Sequence, residues 1–339
     1  MNALPIRSVA ARLRQQGLTL VEMLVGMVLM LLVIMATVAL FSVTSSSYRT
    51  VDAGQELEDN ARFAFEIIGQ AIRQAGFQER TGPPSAGNLL ADSLFVGPPA
   101  GTWRIEGRSA QTLTGRSSLS YSGSNVVNGS DALIIRFFGS NLPDPSNPSV
   151  PLFSGTNPVA DGTMIDCSGR PVPYPTGATD MGHSAFFVRV NSGSSEPELA
   201  CQSWNSATSE FSQTQIIKGV EAFQVMYGVD TDPTPDEVVD RWVSADAAWD
   251  DPAANPNWNR VVAIRVGMVL RGPVGSGQGA SATSAENEYY PMGRAFTCES
   301  ATATASCSPS EAGLKFTAPA DTRLRRVFTT TFHVRNTAL

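Results

Sequence analysis

The chain has 339 residues, 16% of them charged and 42% hydrophobic, with a formal net charge of −7. That length suits one large domain or two small ones, the composition is too apolar for a disordered chain, and the acidity argues against a general nucleic-acid binder. Two histidines and four cysteines leave little material for a catalytic or zinc cluster.

The first forty residues differ from the rest. Residues 1–17 hold Arg7, Arg12 and Arg14 and no acidic residue; without them the chain has 21 basic and 31 acidic residues, a net charge of −10. Residues 23–41 follow as an uncharged, nearly all-aliphatic run. About 20 apolar residues cross a bilayer as a helix, and the arginines in front place the N-terminus in the cytoplasm by the positive-inside rule. A cleaved secretory signal would need a short apolar core and a small-x-small site, and neither is present. Glu22 stands at the start of the apolar run, where a charge costs roughly 2.5–3.5 kcal/mol on insertion scales. A carboxylate in that position implies a partner.

The stretch QQGLTLVEMLVGMVLMLLV, from Gln15 to Val33, resembles the class III signal of type IV prepilins and type II secretion pseudopilins. Gly17 precedes an apolar residue, and Glu22 is fifth counting from Leu18. The resemblance implies cleavage between Gly17 and Leu18 by a prepilin peptidase, followed by N-methylation of Leu18. It also implies that Glu22 pairs with the N-terminal amine of a neighbouring subunit in the filament core and sets the assembly register. A buried carboxylate requires such a cation.

No proline occurs between Pro5 and Pro83, and after Val51 the apolar residues Leu57, Ala61, Ala64, Phe65, Ile68, Ala71, Ile72 and Ala75 recur at helical spacing. Gly76 and the Pro83-Pro84 turn mark the end. A helix over residues 18–75 would be about 85 Å long, with the Ser/Thr run at 42–50 as its weak point. The division read from the sequence is a leader at 1–17, a helix at 18–76 with its transmembrane part at 23–41, and a β-rich periplasmic domain at 77–339. The fold class is α+β: a long N-terminal helix packed on an antiparallel β-sheet domain, as in pilins.

Strand runs lie at 132–138, 185–190, 216–227, 260–270 and 323–334, with weaker ones at 93–96 and 118–121. Residues 139–180, with eight prolines and five glycines, read as a long loop. Cys167, Cys201, Cys298 and Cys307 lie in this periplasmic part, where an even count favours disulfides. Sequence order suggests Cys167–Cys201 and Cys298–Cys307, with crossed pairings open.

Within the pilin superfamily, GVEAFQVMYGVDTD from Gly219, RVVAIRVGMVLRG from Arg260 and RLRRVFTTTFHVRN from Arg323 resemble the later segments of PilW-type minor pilins. The resemblance implies a low-copy, non-enzymatic subunit of a complex that primes pilus assembly and sits at the tip. Its partners would be other minor pilins, the major pilin and a large tip adhesin, after residence in the inner membrane. The J-type minor pseudopilin of type II secretion is the nearest rival. A tip adhesin or DNA receptor on a pilin stem is the alternative of another class. A DNA receptor would want a basic aromatic stripe, for which Arg323–Arg326 is the one local candidate.

Other features have plainer readings. Asp230, Asp232 and Asp236 form D-x-D-x-x-x-D in an acidic stretch, but Thr234 and Pro235 occupy the fifth and sixth positions, where a calcium loop has an oxygen ligand and a glycine. A solvated acidic loop is the reading, calcium the alternative, and no other cofactor is expected. GSGQGA at 275–280 lacks the following helix of a dinucleotide site. His183 and His333 have no nucleophile motif nearby. Trp242, Trp249 and Trp258 read as local core, with a partner interface as the alternative.

Overall fold

The computed structural model describes residues 19–78, 103–114, 120–155, 157–175, 181–191, 193, 195–205, 208–245, 256–277, 288–294 and 314–336. Its first element is helix α1, Leu20–Gln74, of 55 residues. The chain forms two compact units, Met1–Arg49 and Thr50–Leu339. In the first, every large apolar side chain of α1 is exposed. In the second, α1 buries Ala53, Gly54, Leu57, Ala61, Ala64, Ile68, Gly69, Ala71 and Ile72, a stripe at three- and four-residue spacing. The helix stops at Gly76, whose φ of 68° is the left-handed conformation of a C-terminal cap.

Two antiparallel sheets make the β-domain. The first is a meander of β1 (Ile105–Arg108), β2 (Ala132–Phe137), β3 (Gly182–Val190), β4 (Pro197–Asn205) and β5 (Glu210–Lys218), in that order. The second contains β6 (Val220–Val229), β7 (Arg241–Ser244), β8 (Val261–Arg271) and β9 (Arg325–His333), in the order β7-β6-β8-β9. One face of each sheet joins the apolar stripe of α1 in a single core that includes Leu133, Ile135, Phe186, Leu199, Phe223, Val225, Ile264 and Val266. The opposite faces carry smaller clusters. Leu113 and Tyr121, from the hairpin Thr112–Thr114/Ser120–Ser122, cover Ile134, Ala185 and Phe187. Tyr289 and Phe316 cover Ala222 and Val269. Because both faces are covered, every residue of β6 is buried.

The strand expected over 216–227 is two strands in different sheets. They meet at Gly219, with a φ of 78°, where an added Cβ would lie 2.5 Å from the Arg271 carbonyl oxygen. The apolar run hides this break because its residues are buried on both sides of the turn. The region 139–180 is not a bare loop: it contains the short ladders Pro143–Asp144/Asn147–Pro151 and Phe153–Ser154/Asn157–Pro158. The expected strand at 93–96 lies outside the described residues.

Candidate functional site

The N-terminus of α1 is capped by its own sequence. The Glu22 amide donates to Thr19 Oγ1 at 3.3 Å, and the Met23 amide donates to the Thr19 carbonyl at 3.1 Å. Thr19 and Glu22 thus stand at the first and last places of the S/T-x-x-E capping pattern, which starts the helix at Leu20. Glu22 lies in the first turn, where the free amides and the helix dipole favour a negative charge. Gly17 and Leu18 are outside the described residues. From Leu20 to Phe41 the helix exposes Leu, Val, Met, Ile and Phe side chains on all sides. It is the one helix among the described residues long and apolar enough to cross a membrane.

The other end of α1 is tied to the β-domain by polar contacts. Asn336 Nδ2 donates to the Ala75 carbonyl at 3.1 Å, and the Gly76 amide donates to the Arg136 carbonyl at 2.9 Å. The buried Arg104 guanidinium donates to the carbonyls of Asn336, Asn259 (2.7 Å) and Val261 (3.2 Å). Burial lowers its pKa to about 10, which leaves it charged at neutral pH.

Beyond the outer face of the first sheet, Glu106 accepts from Arg136 and Arg108, both at 2.7 Å, and from the Tyr121 hydroxyl at 2.9 Å. Burial opposes ionisation of Glu106, but the two guanidiniums outweigh it and hold its pKa below the usual range. His183 pairs with Arg136 across β2 and β3 and meets Phe211 edge-on. Burial first, and then the Arg136 charge, lower its pKa to about 3. It is a neutral, buried residue packed against Phe211. His333 is exposed on β9.

Cys167 and Cys201 form a disulfide that pins the turn Asp166–Arg170 to β4. Cys298 and Cys307 lie outside the described residues.

The acidic loop is organised around Asp230. Its carboxylate accepts the amides of Asp232 (3.1 Å), Asp236 (2.8 Å) and Glu237 (2.9 Å). Burial opposes its ionisation, and these donors overcome it and lower its pKa. The carboxylates brought together are Asp230, Asp232 and Asp240, within 4.8 Å of one another; Asp236 is not among them and turns back to the Val238 amide. Asp240 above all raises the pKa of Asp232. Asp240 comes into the group because β7 pairs with β6, a long-range event invisible in the D-x-D spacing. Both Asp230 oxygens serve backbone donors, while Asp232 and Asp240 are exposed.

Trp258 is fully buried against Tyr227, and Trp242 lies under the Arg265 guanidinium at 4.5 Å. Trp249 is outside the described residues. The arginine-rich stretch is largely neutralised within the fold: Arg323 pairs with Glu196 at 2.7 Å, and Arg325 with Glu221 (2.5 Å) and Asp321 (2.6 Å). Arg326 and Arg335 of the same stretch are exposed. Gly275 and Gly277 lie in a turn bonded to Thr322, which is no nucleotide cradle.

A capped, apolar N-terminal helix that continues under an antiparallel β-domain defines a type IV pilin-like subunit. Residues 12–42 match the prokaryotic N-terminal methylation motif, and residues 185–336, from β3 to the end of β9, match the family model of type IV pilus-assembly protein W, PilW. The C-terminal part of the chain is thus similar to PilW and its N-terminal part to the methylation motif of pilin-like proteins. Comparison with curated proteins returns no match. Among solved structures, a type IV-like pilin from Thermus thermophilus aligns over 82% of this chain and 95% of its own length, at 12% identity and a TM-score of 0.34.

Proposed function

We propose that this protein is a minor subunit of a type IV pilus that joins other minor pilins in the complex priming assembly and remains at the pilus tip. The observation that carries the reading is the division within α1. The buried residues of α1 all lie from Ala53 onward, in the unit that holds the β-domain, whereas from Leu20 to Phe41 its side chains are exposed among the described residues. Only a bilayer or a bundle of like helices can cover such a surface.

The mechanism follows from that need. The helix first anchors the precursor in the inner membrane, with the arginine-bearing leader inside. The prepilin peptidase cuts between Gly17 and Leu18 and methylates the Leu18 amine. The helix then passes into the filament core, where Glu22 meets a neighbour's amine. An unpaired carboxylate in that apolar core would cost several kcal/mol, so subunits seat at the register that satisfies it. The β-domain, much larger than its stem, suits a tip position where neighbours do not crowd every face, with the major pilin below and a large adhesin above. No cofactor enters this reading.

Mass spectrometry of the protein from peptidase-competent cells should show an N-methylated Leu18 start; an intact Met1 terminus would refute processing. Glu22→Ala should abolish incorporation while leaving membrane insertion intact, and normal incorporation would contradict the register role. Co-purification from the native cell should recover other minor pilins; recovery of secretion-system components instead would assign the chain to a pseudopilus.

A further inference from the structure

The Cys167–Cys201 disulfide is asymmetric in its access. Cys201 lies on β4 and is fully buried. Cys167 is half-buried in the turn Asp166–Arg170 and lines a cleft of about 310 Å³ between α1 and β5. Phe63, Ile67, Ile165 and Ile216 form its apolar walls. A thiolate coming from solvent therefore reaches Cys167 first.

The two sulfurs also face different groups. Cys167 Sγ lies 3.8 Å from the Gln202 carbonyl oxygen, whose partial negative charge opposes a thiolate there. Cys201 Sγ lies 3.6 Å from Ser168 Oγ. A sulfur in a disulfide has no hydrogen to give, so the hydroxyl is the donor. Behind it stands a relay. Ser168 Oγ is 2.8 Å from Ser203 Oγ, and Ser203 Oγ accepts from Arg170 Nη2 at 2.5 Å. A guanidinium only donates, so Ser203 directs its own hydroxyl at Ser168, and Ser168 directs its hydroxyl at Cys201. Thr214 Oγ1, 3.4 Å from Ser168, is a second acceptor on the exposed side.

Hydrogen bonds aligned in one sense polarise one another, and groups that stabilise a thiolate make it the better leaving group. The Asp166 carboxylate beside the disulfide is held within the turn: it accepts the Ser168 and Arg170 amides at 2.8 and 3.0 Å and Arg170 Nε at 3.2 Å. That ion pair leaves the turn without net charge, so the chain of donors, not a free cation, stabilises a Cys201 thiolate. Exchange rates depend on which sulfur is accessible and on how well the departing thiolate is stabilised. Here both favour attack at Cys167 and departure of Cys201.

We propose that Cys167–Cys201 is an exchangeable disulfide, opened in the folded protein by a dithiol that attacks Cys167 and expels Cys201. The dithiol's thiolate bonds to Cys167 Sγ as the Sγ–Sγ bond breaks, and the electron pair of that bond goes to Cys201 Sγ beside Ser168. The second sulfur of the dithiol, as thiolate, then attacks the first and releases Cys167. The dithiol leaves as its own disulfide, oxidised by two electrons; the protein is reduced by two, and its two cysteines take up the two protons the dithiol gives up. An oxidised dithiol reverses the sequence.

Reduction acts on the turn. Once the covalent link is open, the turn is held by the Cys167 amide on Ser184 Oγ (3.0 Å), by Ser168 on Ser203, and by Arg170 on Ser203 and on Ser212 (2.6 Å). These bonds keep Cys167 near Cys201 for reclosure, while the wall that the turn gives the cleft is loosened. The inference does not rest on the assembly reading above.

The test uses the full chain in detergent without denaturant, and mass spectrometry of peptides that report Cys167 and Cys201 separately. A brief pulse of reduced glutathione, quenched with acid and alkylated, should leave the mixed disulfide on Cys167 in about tenfold excess over Cys201. An equal split, or an excess on Cys201, overturns the proposal. With dithiothreitol, reduction should quicken in proportion to reagent concentration, because attack falls on the folded protein. A rate that is independent of dithiothreitol, set by unfolding, overturns the proposal as well. Ser168→Ala should slow reduction about threefold, because the leaving thiolate loses its donor, whereas Ser168→Thr keeps the hydroxyl and should stay near the native rate. An alanine variant as fast as the native chain or faster, or a threonine variant as slow as the alanine one, overturns the donor relay. If neither variant folds, the glutathione split and the dithiothreitol dependence of the native chain decide the question.

Discussion

Asn336 closes the last turn of α1 from 261 residues away in the chain, through a 3.1 Å bond from its side-chain amide to the Ala75 carbonyl. Helix ends leave carbonyls without partners, and here the C-terminal segment supplies the missing donor. Its own carbonyl is in turn held by the buried Arg104. The end of α1 and the segment after β9 are therefore tied together by side-chain-to-backbone hydrogen bonds.

Asn336→Ala should lower stability by about 1 kcal/mol, the usual net worth of one such bond. Asn336→Asp should cost at least as much, since a carboxylate cannot donate to the Ala75 carbonyl. Chemical denaturation of the full chain in detergent measures both; an unchanged midpoint in the alanine variant would show that the cap contributes nothing.

Gly69 has its place in the helix because of Phe332. An added Cβ would lie 2.6 Å from Cε1 of that ring. Gly69→Ala should destabilise by about 1–3 kcal/mol through overpacking, although alanine is the better helix former by about 1 kcal/mol. In a Phe332→Ala background the same substitution should be neutral or stabilising. Additive effects in this double-mutant cycle would deny the contact.

His183 should make stability depend on pH. Burial and Arg136 bring its pKa down to about 3 in the folded protein, against about 6.5 in the unfolded chain. The unfolded state thus binds a proton that the folded state refuses. The neutral ring's contribution is complete above pH ~6.5 and is lost as pH falls toward 3, with a slope approaching about 1.4 kcal/mol per pH unit. Glu106, whose folded pKa is depressed, adds its loss only below the ordinary carboxylate range of about 4. His183→Gln should flatten the curve between pH 6.5 and 4.5 and leave the more acidic limb in place. An unaltered slope would locate the titration elsewhere.

The Cys167–Cys201 disulfide spans a sequence separation of 34, worth about 4 kcal/mol on the loop-entropy model. Replacing both cysteines with alanine should lower the denaturation midpoint accordingly. It should also expose the turn Asp166–Arg170 to proteolysis, because that turn then relies on hydrogen bonds alone. Unchanged stability and protease resistance would show that the turn holds itself in place.

Legibility in the sequence followed the range of the interaction. The stripe Leu57, Ala61, Ala64, Ile68 and Ile72 announced a helix because its period is local. Strands β2, β8 and β9 were visible for the same reason. β4, with Pro-Glu-Leu-Ala-Cys-Gln-Ser-Trp-Asn, was not, since it has neither alternation nor β-branched residues and is held by neighbours on both sides. The break at Gly219 was hidden because burial on both sides of the turn gave one unbroken apolar run. Asp240 escaped the metal-ligand reading because only strand pairing brings it to Asp230 and Asp232.

The amino-acid sequence by itself determined that the N-terminal segment is pilin-like. Its N-terminal signal pattern, the carboxylate at Glu22 and the uncharged helix are local, contiguous features whose physics needs no fold. Tertiary structure decided how the protein is closed. It neutralised Arg323 and Arg325, sent the segments on either side of Gly219 to different sheets and capped α1 with Asn336. Each of these depends on residues far apart in the chain meeting in space, and no spacing along the sequence encodes that.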